Sequence, residues 1–457
     1  MKQPQQITII GTKPTFLDVW KWGQEIERLH TRIAPRFARP EPRHRALAYL
    51  KGIVSGVSRK NGWQLAEQAG EARPDGMQRL LNSAVWDEGL VRDDLRGYVL
   101  ERLGDPQAVL VIDETSFPKR GKKSTGVKKQ YCGTTGRVEN CQVGVFLSYV
   151  SEKGHTLIDR ELYLPKDWID DAARRREAGI PEEVHFQTKC ELARLMIERL
   201  LQAGVPFAWV AADTVYGGNL DLRVFLEAHQ CSYALAVACN EPVAIQTASG
   251  RRQVTVTEAE ALMLETKDWQ RLSMNEGTKG PRLYDWAVQP MLHQWEDDGR
   301  HFLLIRRCLD DPQEKTYYFV FAPKGTTLAS MVKAVGKRWH IEEDFETGKE
   351  MGLGDYEVRG FAAWYRHITL VMLAQACLAG ICAVARIPAS KTPPNEGALL
   401  VCPVLPLTIP EVRHLLALLL FPPPRSQTLL LSWSWWRRCH QSRASVFHTQ
   451  RRLALVS

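Results

Sequence analysis

Two short apolar runs, each closing on an aspartate, constrain this chain more than any other feature. AVLVIDETSF reaches Asp113 and FAWVAADTVYG reaches Asp213. Each has strand length, is rich in β-branched and apolar residues and ends in polar groups, so each predicts a buried strand that delivers a carboxylate where it leaves a sheet. Taken singly, an aspartate at a strand end also serves to cap the following turn. Two such positions in one sheet favour a site.

The runs around them fix the order of elements. CQVGVFLSYVSE and HTLIDRELYLP predict two further strands joined by a turn at Lys153-Gly154, with a basic loop ahead of them. FQTKCELARLMIERLLQAG has helical periodicity and closes on Gly204, while DLRVFLEAH and SYALAVACN predict a short helix and a fifth strand. Three antiparallel strands followed by alternating helix and strand is the order of a ribonuclease H-like α/β core. From Glu241 to Pro323 the pattern turns mostly to β. A helix is expected from Leu328 to Met351, and a second, apolar one from Trp364 to Ala385 packed behind it.

Ahead of the sheet, Phe16 to Leu103 is helical in pattern, and two short helices broken near Arg73-Pro74-Asp75-Gly76 are compatible with a helix-turn-helix. The expected parts are a helical N-terminal DNA-binding region (1–104), a ribonuclease H-like core (105–240), a β-rich insertion (241–325), the rest of the core with the helix from Leu328 (326–386) and a Pro-rich linker with a basic C-terminal segment (387–457).

With 44% hydrophobic and 25% charged residues the chain has the composition of a folded globular protein. Sixty Lys and Arg against 52 Asp and Glu leave a net charge of +8, which suits a polyanionic partner without requiring one. Ten scattered cysteines with no C-x-x-C pair argue against a zinc module or a disulfide framework and fit the reduced thiols of a cytoplasm. The apolar stretch Ile368 to Val384 is short for a membrane span and interrupted by Gln375 and Gly380, so a buried helix is expected and no membrane partner.

Metal-assisted phosphodiester chemistry needs a third carboxylate, because hard cations prefer several oxygen ligands. KAVGKRWHIEEDFETGKEMGLGDYEVRG offers Glu342, Glu343, Asp344, Glu346 and Glu350, too many to choose among by charge. Read blandly, this is a solvated acidic face.

VIDETSF, AADTVYG and RWHIEEDFETGK together resemble, in order, the three signature blocks of DDE-type transposases of bacterial insertion sequences. The third is similar to the YREK signature of one subgroup, with Arg338, three residues, Glu342, six residues and Lys349; Val335 stands where that signature has Tyr. VRGFAAWYRHITLVMLA and the tail WSWWRRCHQSRASVFHTQRR resemble the insertion-sequence-701 branch. The resemblance implies that Asp113, Asp213 and Glu342 bind two Mg2+ ions, with Mn2+ able to substitute. It also implies that the chain binds double-stranded DNA at transposon ends and in the target, cuts and rejoins it by cut-and-paste, and acts as a homodimer on paired ends near a bacterial nucleoid. On one helix, Arg338, Glu342 and Lys349 would share a face and address one phosphate site.

Basic groups outside the blocks suggest where DNA lies. Lys119, Arg120, Lys122 and Lys123 follow the first strand with no acid among them, and Arg437 and Arg438 adjoin Trp433, Trp435 and Trp436 in a tail without acids after Glu411. Trp269, Trp286 and Trp295 fall in the insertion, where hairpin-forming relatives hold a flipped base, but the sequence selects none of them. Two other readings keep the same residues: a domesticated DNA-binding protein without catalysis, and a ribonuclease H-like nuclease of other nucleic acids.

Overall fold

The computed structural model describes residues 7–10, 13–277, 280–385, 400–403, 405–424 and 426–453. The chain divides into two compact units, one of Arg96–Glu346 and one joining Met1–Leu95 to Thr347–Ser457.

In the first unit the run around Val109–Ile112 is buried on both faces, as befits a central strand. This strand, β1 (Val109–Pro118), is followed by β2 (Lys128–Cys132), β3 (Arg137–Val150) and β4 (His155–Tyr163). β3 pairs antiparallel with β1, β2 and β4. The chain then crosses through the helix Lys189–Gln202, whose start is closed by a capping box of Thr188 and Glu191, into β5 (Trp209–Ala212), parallel to β1. β6 (Ser232–Val237) lies parallel to β5. The order β4-β3-β1-β5-β6, with three antiparallel strands and then two parallel to the first, is that of a ribonuclease H-like sheet.

β2 was not expected, because its residues read as part of the basic loop. Lys128 and Lys129 are exposed on it, as suits a strand at a sheet edge, and it carries no apolar alternation to announce it. The insertion begins with a hairpin of β7 (Pro242–Thr247) and β8 (Gly250–Thr255) and the helix Val256–Met263. It continues as an antiparallel meander of β9 (Gln270–Gly277), β10 (Gly280–Pro290), β11 (His301–Arg307) and β12 (Lys315–Phe321). β12 pairs antiparallel with β6, so the meander extends the core sheet to ten strands.

The expected single helix from Leu328 to Met351 is interrupted. Leu328–Gly336 is α-helical, Lys337–Trp339 is a 3-10 turn, and the α-helix resumes over His340–Glu350. At the break, Gly336 lies so close to the carbonyl oxygen of Met274 that any Cβ there would collide with it. The first piece buries Met331, Val332 and Val335 against Ala234, Trp286 and Tyr318.

In the second unit the helices Phe16–Ile33, Pro40–Val54, Asp75–Asn82 and Ile409–Leu419 pack around Phe361–Ala385. That last helix is long and apolar enough to cross a membrane, but most of it is buried among these neighbours, including Gln375. It was expected behind the third-block helix, where a Cβ on Gly348 would lie 3.5 Å from Gln375 Oε1, and it also packs on the N-terminal helices, where the Tyr49 hydroxyl meets His367 Nδ1 at 2.7 Å. The Pro-rich 387–410 stretch lies largely outside the described residues. Gln427–Leu453 forms one helix, and its Trp433, 1% exposed, donates Nε1–H to the carbonyl of Glu71 at 2.9 Å.

Gly217 ends the turn of helix after Asp213, and a Cβ there would strike the carbonyl oxygen of Ala236 in β6, whereas one on Gly218 meets nothing closer than 3.6 Å. Gly217→Ala should therefore cost about 1–3 kcal/mol by overpacking, with Gly218→Ala close to neutral. Urea unfolding of the two variants tests this; equal stabilities would contradict the close packing of this turn on β6.

Candidate active site

The register of β1 on β5 builds the centre of the site. Ile112 pairs with Ala212, so Asp113 and Asp213 follow side by side on neighbouring strands, which lie roughly 4.8 Å apart in any sheet. β5 ends at Ala212, but β1 does not end at Asp113 as expected: antiparallel pairing with β3 carries it on to Pro118. Asp113 thus sits mid-strand, at the point where β1 loses its parallel neighbour. Its Oδ1 accepts from the backbone N–H of Glu114 at 2.7 Å, and Asp213 caps the helix Thr214–Gly217 by accepting from Val215 N–H at 2.9 Å.

These carboxylates are held in tension. Burial, and then the charge of Asp213, pushes Asp113 up to about 7. Burial and the charge of Glu114 raise Asp213 as well. Arg338 opposes both shifts.

That arginine links the third block to the pair. The 3-10 turn Lys337–Trp339 packs on β1 and β5, and Arg338 donates from its guanidinium to Glu342 Oε1 at 3.0 Å. The neighbouring acids have other partners. Glu343 accepts from His155 Nε2 at 3.3 Å and from His340 Nδ1 at 2.8 Å, which hold it well below the usual carboxylate range. Asp344 is fully buried and accepts from His155 Nδ1 at 2.9 Å and from Ser148 Oγ. Both ring nitrogens of His155 therefore face carboxylates. Burial opposes its charge, but Asp344 and Glu343 outweigh burial and push it up to about 10. Glu350 pairs with Arg413 in the second unit, and Glu346 is exposed. Glu342 is thus the acid of this helix tied to the arginine that acts on both aspartates.

A second layer escaped the sequence reading. Glu114 takes Lys189 Nζ at 2.5 Å on one oxygen and the Tyr216 hydroxyl at 2.6 Å on the other. Burial and the charge of Glu114 raise Tyr216, so it stays a donor. The only trace in the sequence was the adjacency of Glu114 to Asp113 and of Tyr216 to Asp213.

The basic candidates are dispersed. Arg120 and Lys122 are exposed beyond β1, Lys119 is half-buried with its backbone bonded to Asn140, and Lys123 pairs with Glu177. Lys349, on the last turn of the third-block helix, belongs to the second unit, as do Arg437 and Arg438. Arg437 is engaged with Glu67 at 2.7 Å, and Trp436 packs against Trp63 and His440, so this face of the tail helix is docked on its own unit. Trp435 remains exposed, with Arg438 beside its ring. In the insertion Trp286 is core, Trp269 lies 3.9 Å from the Arg307 guanidinium and Trp295 is exposed; Val335 is buried.

Two aspartates thus stand on adjacent strands of a ribonuclease H-like sheet, and Arg338, bonded to Glu342, acts on both. A family model described as DDE superfamily endonuclease matches residues 32–281, more than half of the chain, and the chain belongs to that family. The matched stretch contains Asp113 and Asp213 and ends ahead of Glu342. The chain is similar to a probable transposase for insertion sequence element IS701 from Microchaete diplosiphon, 30% identical over 203 residues, which are 44% of this chain and 50% of that one. It thus spans half the length of that curated relative. The NurA nuclease from Sulfolobus solfataricus aligns over 60% of this chain and 82% of its own, at 10% identity and a TM-score of 0.22, too low to bear on the fold.

Because Asp113 is raised to about 7 when folded and lies near 4 when unfolded, the folded state holds the extra proton between those values. Stability of the metal-free protein should fall as pH rises through that window, and the full penalty stands above it. Asp113→Asn should then melt a few degrees higher than the parent in chelator at pH 8 and gain nothing at pH 4. A gain independent of pH would contradict the electrostatic crowding.

Proposed function

We propose that this protein is a transposase that binds the ends of an insertion sequence and catalyses DNA cleavage and strand transfer by cut-and-paste. The observation that carries the reading is the β1–β5 register that sets Asp113 beside Asp213, with Arg338 acting on both and bonded to Glu342. The resemblance of the three blocks supports it, as does the likeness to a probable insertion-sequence transposase.

Three carboxylates make an all-oxygen donor set, which suits Mg2+ or Mn2+ and not softer ions. The fit is electrostatic too, since neighbouring carboxylates raised by burial and by nearby acids are reconciled by a divalent cation between them. Two Mg2+ ions bound there would stabilise the entering and leaving oxygens of an in-line displacement at phosphorus. The chain's own groups have separate tasks. Asp113, Asp213 and Glu342 would hold the cations. Arg338 steadies Glu342 and offers charge to a phosphate. Lys189 and Tyr216 fix Glu114, which keeps that carboxylate from swinging toward its neighbours.

Double-stranded DNA is the substrate in this reading, at the transposon ends and in the target, with two copies of the chain on paired ends. Arg120 and Lys122 beyond β1 are placed for phosphates, and Lys119, Lys123, Lys349, Arg437 and Arg438 belong to the wider basic surface. Val335 is buried and lacks a hydroxyl, so the YREK tyrosine has no counterpart at that position.

Glu342→Gln should lower cleavage of the element's own ends by at least about a hundredfold, the scale of losing one preorganised electrostatic group, while end binding stays near the parent level. Glu346→Gln should retain most activity. Gel assays of cleavage and binding on labelled end DNA decide it, and a dead Glu346→Gln with an active Glu342→Gln would shift the third ligand by one helical turn. In the same assay Mg2+ and Mn2+ should support cutting and Ca2+ binding alone; efficient cutting in excess chelator would refute the metal centre.

A further inference from the structure

The ladders of the sheet carry the level of the two aspartates across to the insertion. Ala212 pairs with Leu235, and one residue further on, at the level of Asp213, Ala236 of β6 pairs with Tyr318 of β12. Tyr318 in turn pairs with Leu304 of β11, and two residues beyond them Thr316 faces Arg306, past the last residue of β6, Val237. Arg306 therefore stands off the same end of the sheet at which Asp213 leaves β5.

Side chains of one face alternate along a strand. On the face of Tyr318, Arg306 lies opposite Thr316 and Trp286, with Tyr284 and Arg282 following on β10. The helix Leu328–Gly336 covers Trp286, Leu304 and Tyr318, and the arginines continue the face toward the 3-10 turn that carries Arg338. The Arg282 guanidinium lies 5.2 Å from the Trp339 ring of that turn, and that of Arg306 lies 4.7 Å from the Tyr284 ring. Burial raises the Tyr318 phenol while the charges of Arg306 and Arg338 both oppose the rise, so these two arginines flank one hydroxyl.

Neighbouring cations are neutralised and these are not. Arg307, on the opposite face, pairs with Asp285 at 3.2 Å, and Arg271 does so at 3.1 Å. Lys333 and Lys337 share Glu152, and Arg338 holds Glu342. Among the described residues Arg306 and Arg282 pair with no carboxylate, and the half-buried Arg306 donates one side-chain hydrogen bond, to Thr316 Oγ1 at 2.9 Å. An aromatic face attracts a guanidinium without taking up its N–H donors. A half-buried guanidinium with unused donors calls for an oxyanion.

We propose, on the DNA reading above, that Arg306 and Arg282 bind backbone phosphates of the DNA strand that passes the carboxylate centre, beyond the phosphate addressed by Arg338. Thr316 and Tyr284 hold Arg306 in place for this, and Trp339 does the same for Arg282. Phosphate oxygens carry no base identity, so the two arginines position a strand and do not select its sequence.

Binding of the full chain to two duplexes, the element's own end and one of arbitrary sequence, measured against salt at fixed Ca2+, tests this. Each lost phosphate contact should lower the slope of log affinity against log salt by about one. Arg306→Gln and Arg282→Gln should each show that loss on both duplexes and the double variant about twice it. Arg306→Lys, which keeps the charge, and Arg307→Gln, on the neutralised face, should keep the parent slope. Arg282 is exposed, so its replacement leaves the core intact whatever Arg306→Gln does to folding. Slopes of Arg306→Gln and Arg282→Gln equal to the parent's, or lowered no more than that of Arg307→Gln, would overturn the proposal even with the ends cut normally. Slopes lowered as expected, with the ends neither preferred nor cut, would uphold this surface and remove the transposase reading. Absence of salt-dependent binding in the parent would overturn both.

Discussion

The parallel pairing of β1 with β5 is the constraint on which the rest of this molecule turns. Its register puts Asp113 and Asp213 on adjacent strands at one level, and the buried run ahead of each leaves no freedom to slip, because a shift by one residue would send every side chain to the opposite face. The apolar runs therefore act as rulers that hold two like charges close together in a poorly solvated place. That arrangement is unfavourable in isolation, which is why both carboxylates are raised and why a cationic partner is needed close by.

Part of that partner is built in. The charge of Arg338 acts on both aspartates from a broken helix: Gly336 lies against the backbone of β9, and the 3-10 turn that follows lays Lys337–Trp339 on β1 and β5. The meander thus contributes to the carboxylate centre without supplying a carboxylate to it, by setting where the helix breaks. On the far side of the break, His155 with Glu343 and Asp344 fixes the rotation of His340–Glu350. With those two acids committed to histidines, Glu342 is turned toward Arg338. Five acids on one short helix look redundant in sequence, yet in space they divide between anchoring the helix and serving the site.

What could be read from the residues alone was what rests on buried apolar periodicity. The strands ending in ALAV and VFLSYV, the helix Lys189–Gln202 and the burial of Ile368–Val384 all follow from such patterns. Edge elements were not legible, because β2 lies at the boundary of the sheet and its lysines obey no apolar alternation. Nor was the break at Gly336, since its cause is the carbonyl of Met274, more than 60 positions earlier in the chain. The choice of Glu342 came from resemblance, and the spatial reason for it, the bond from Arg338, needed coordinates. The tail divides between two faces: Trp433 is core and Arg437 is engaged with Glu67, while Trp435 stays exposed with Arg438 beside its ring, because composition does not say which face of a helix is docked.

The meander's attachment bears on how the site could respond to what the insertion binds. β12 continues the sheet from β6, β6 pairs with β5, and β5 carries Asp213 at its end, so only two hydrogen-bonded ladders separate the insertion from the carboxylates. A separately hinged domain would transmit little through a flexible connection, whereas a sheet of continuous ladders resists shear and twists as a body. Glu227 pairs with His301 at this junction, joining the insertion to the helix Leu220–Ala228 that follows Asp213. Rigidity there favours the placement of Asp213, because the turn that it caps is pressed on β6 at Gly217 and inherits any displacement of that strand.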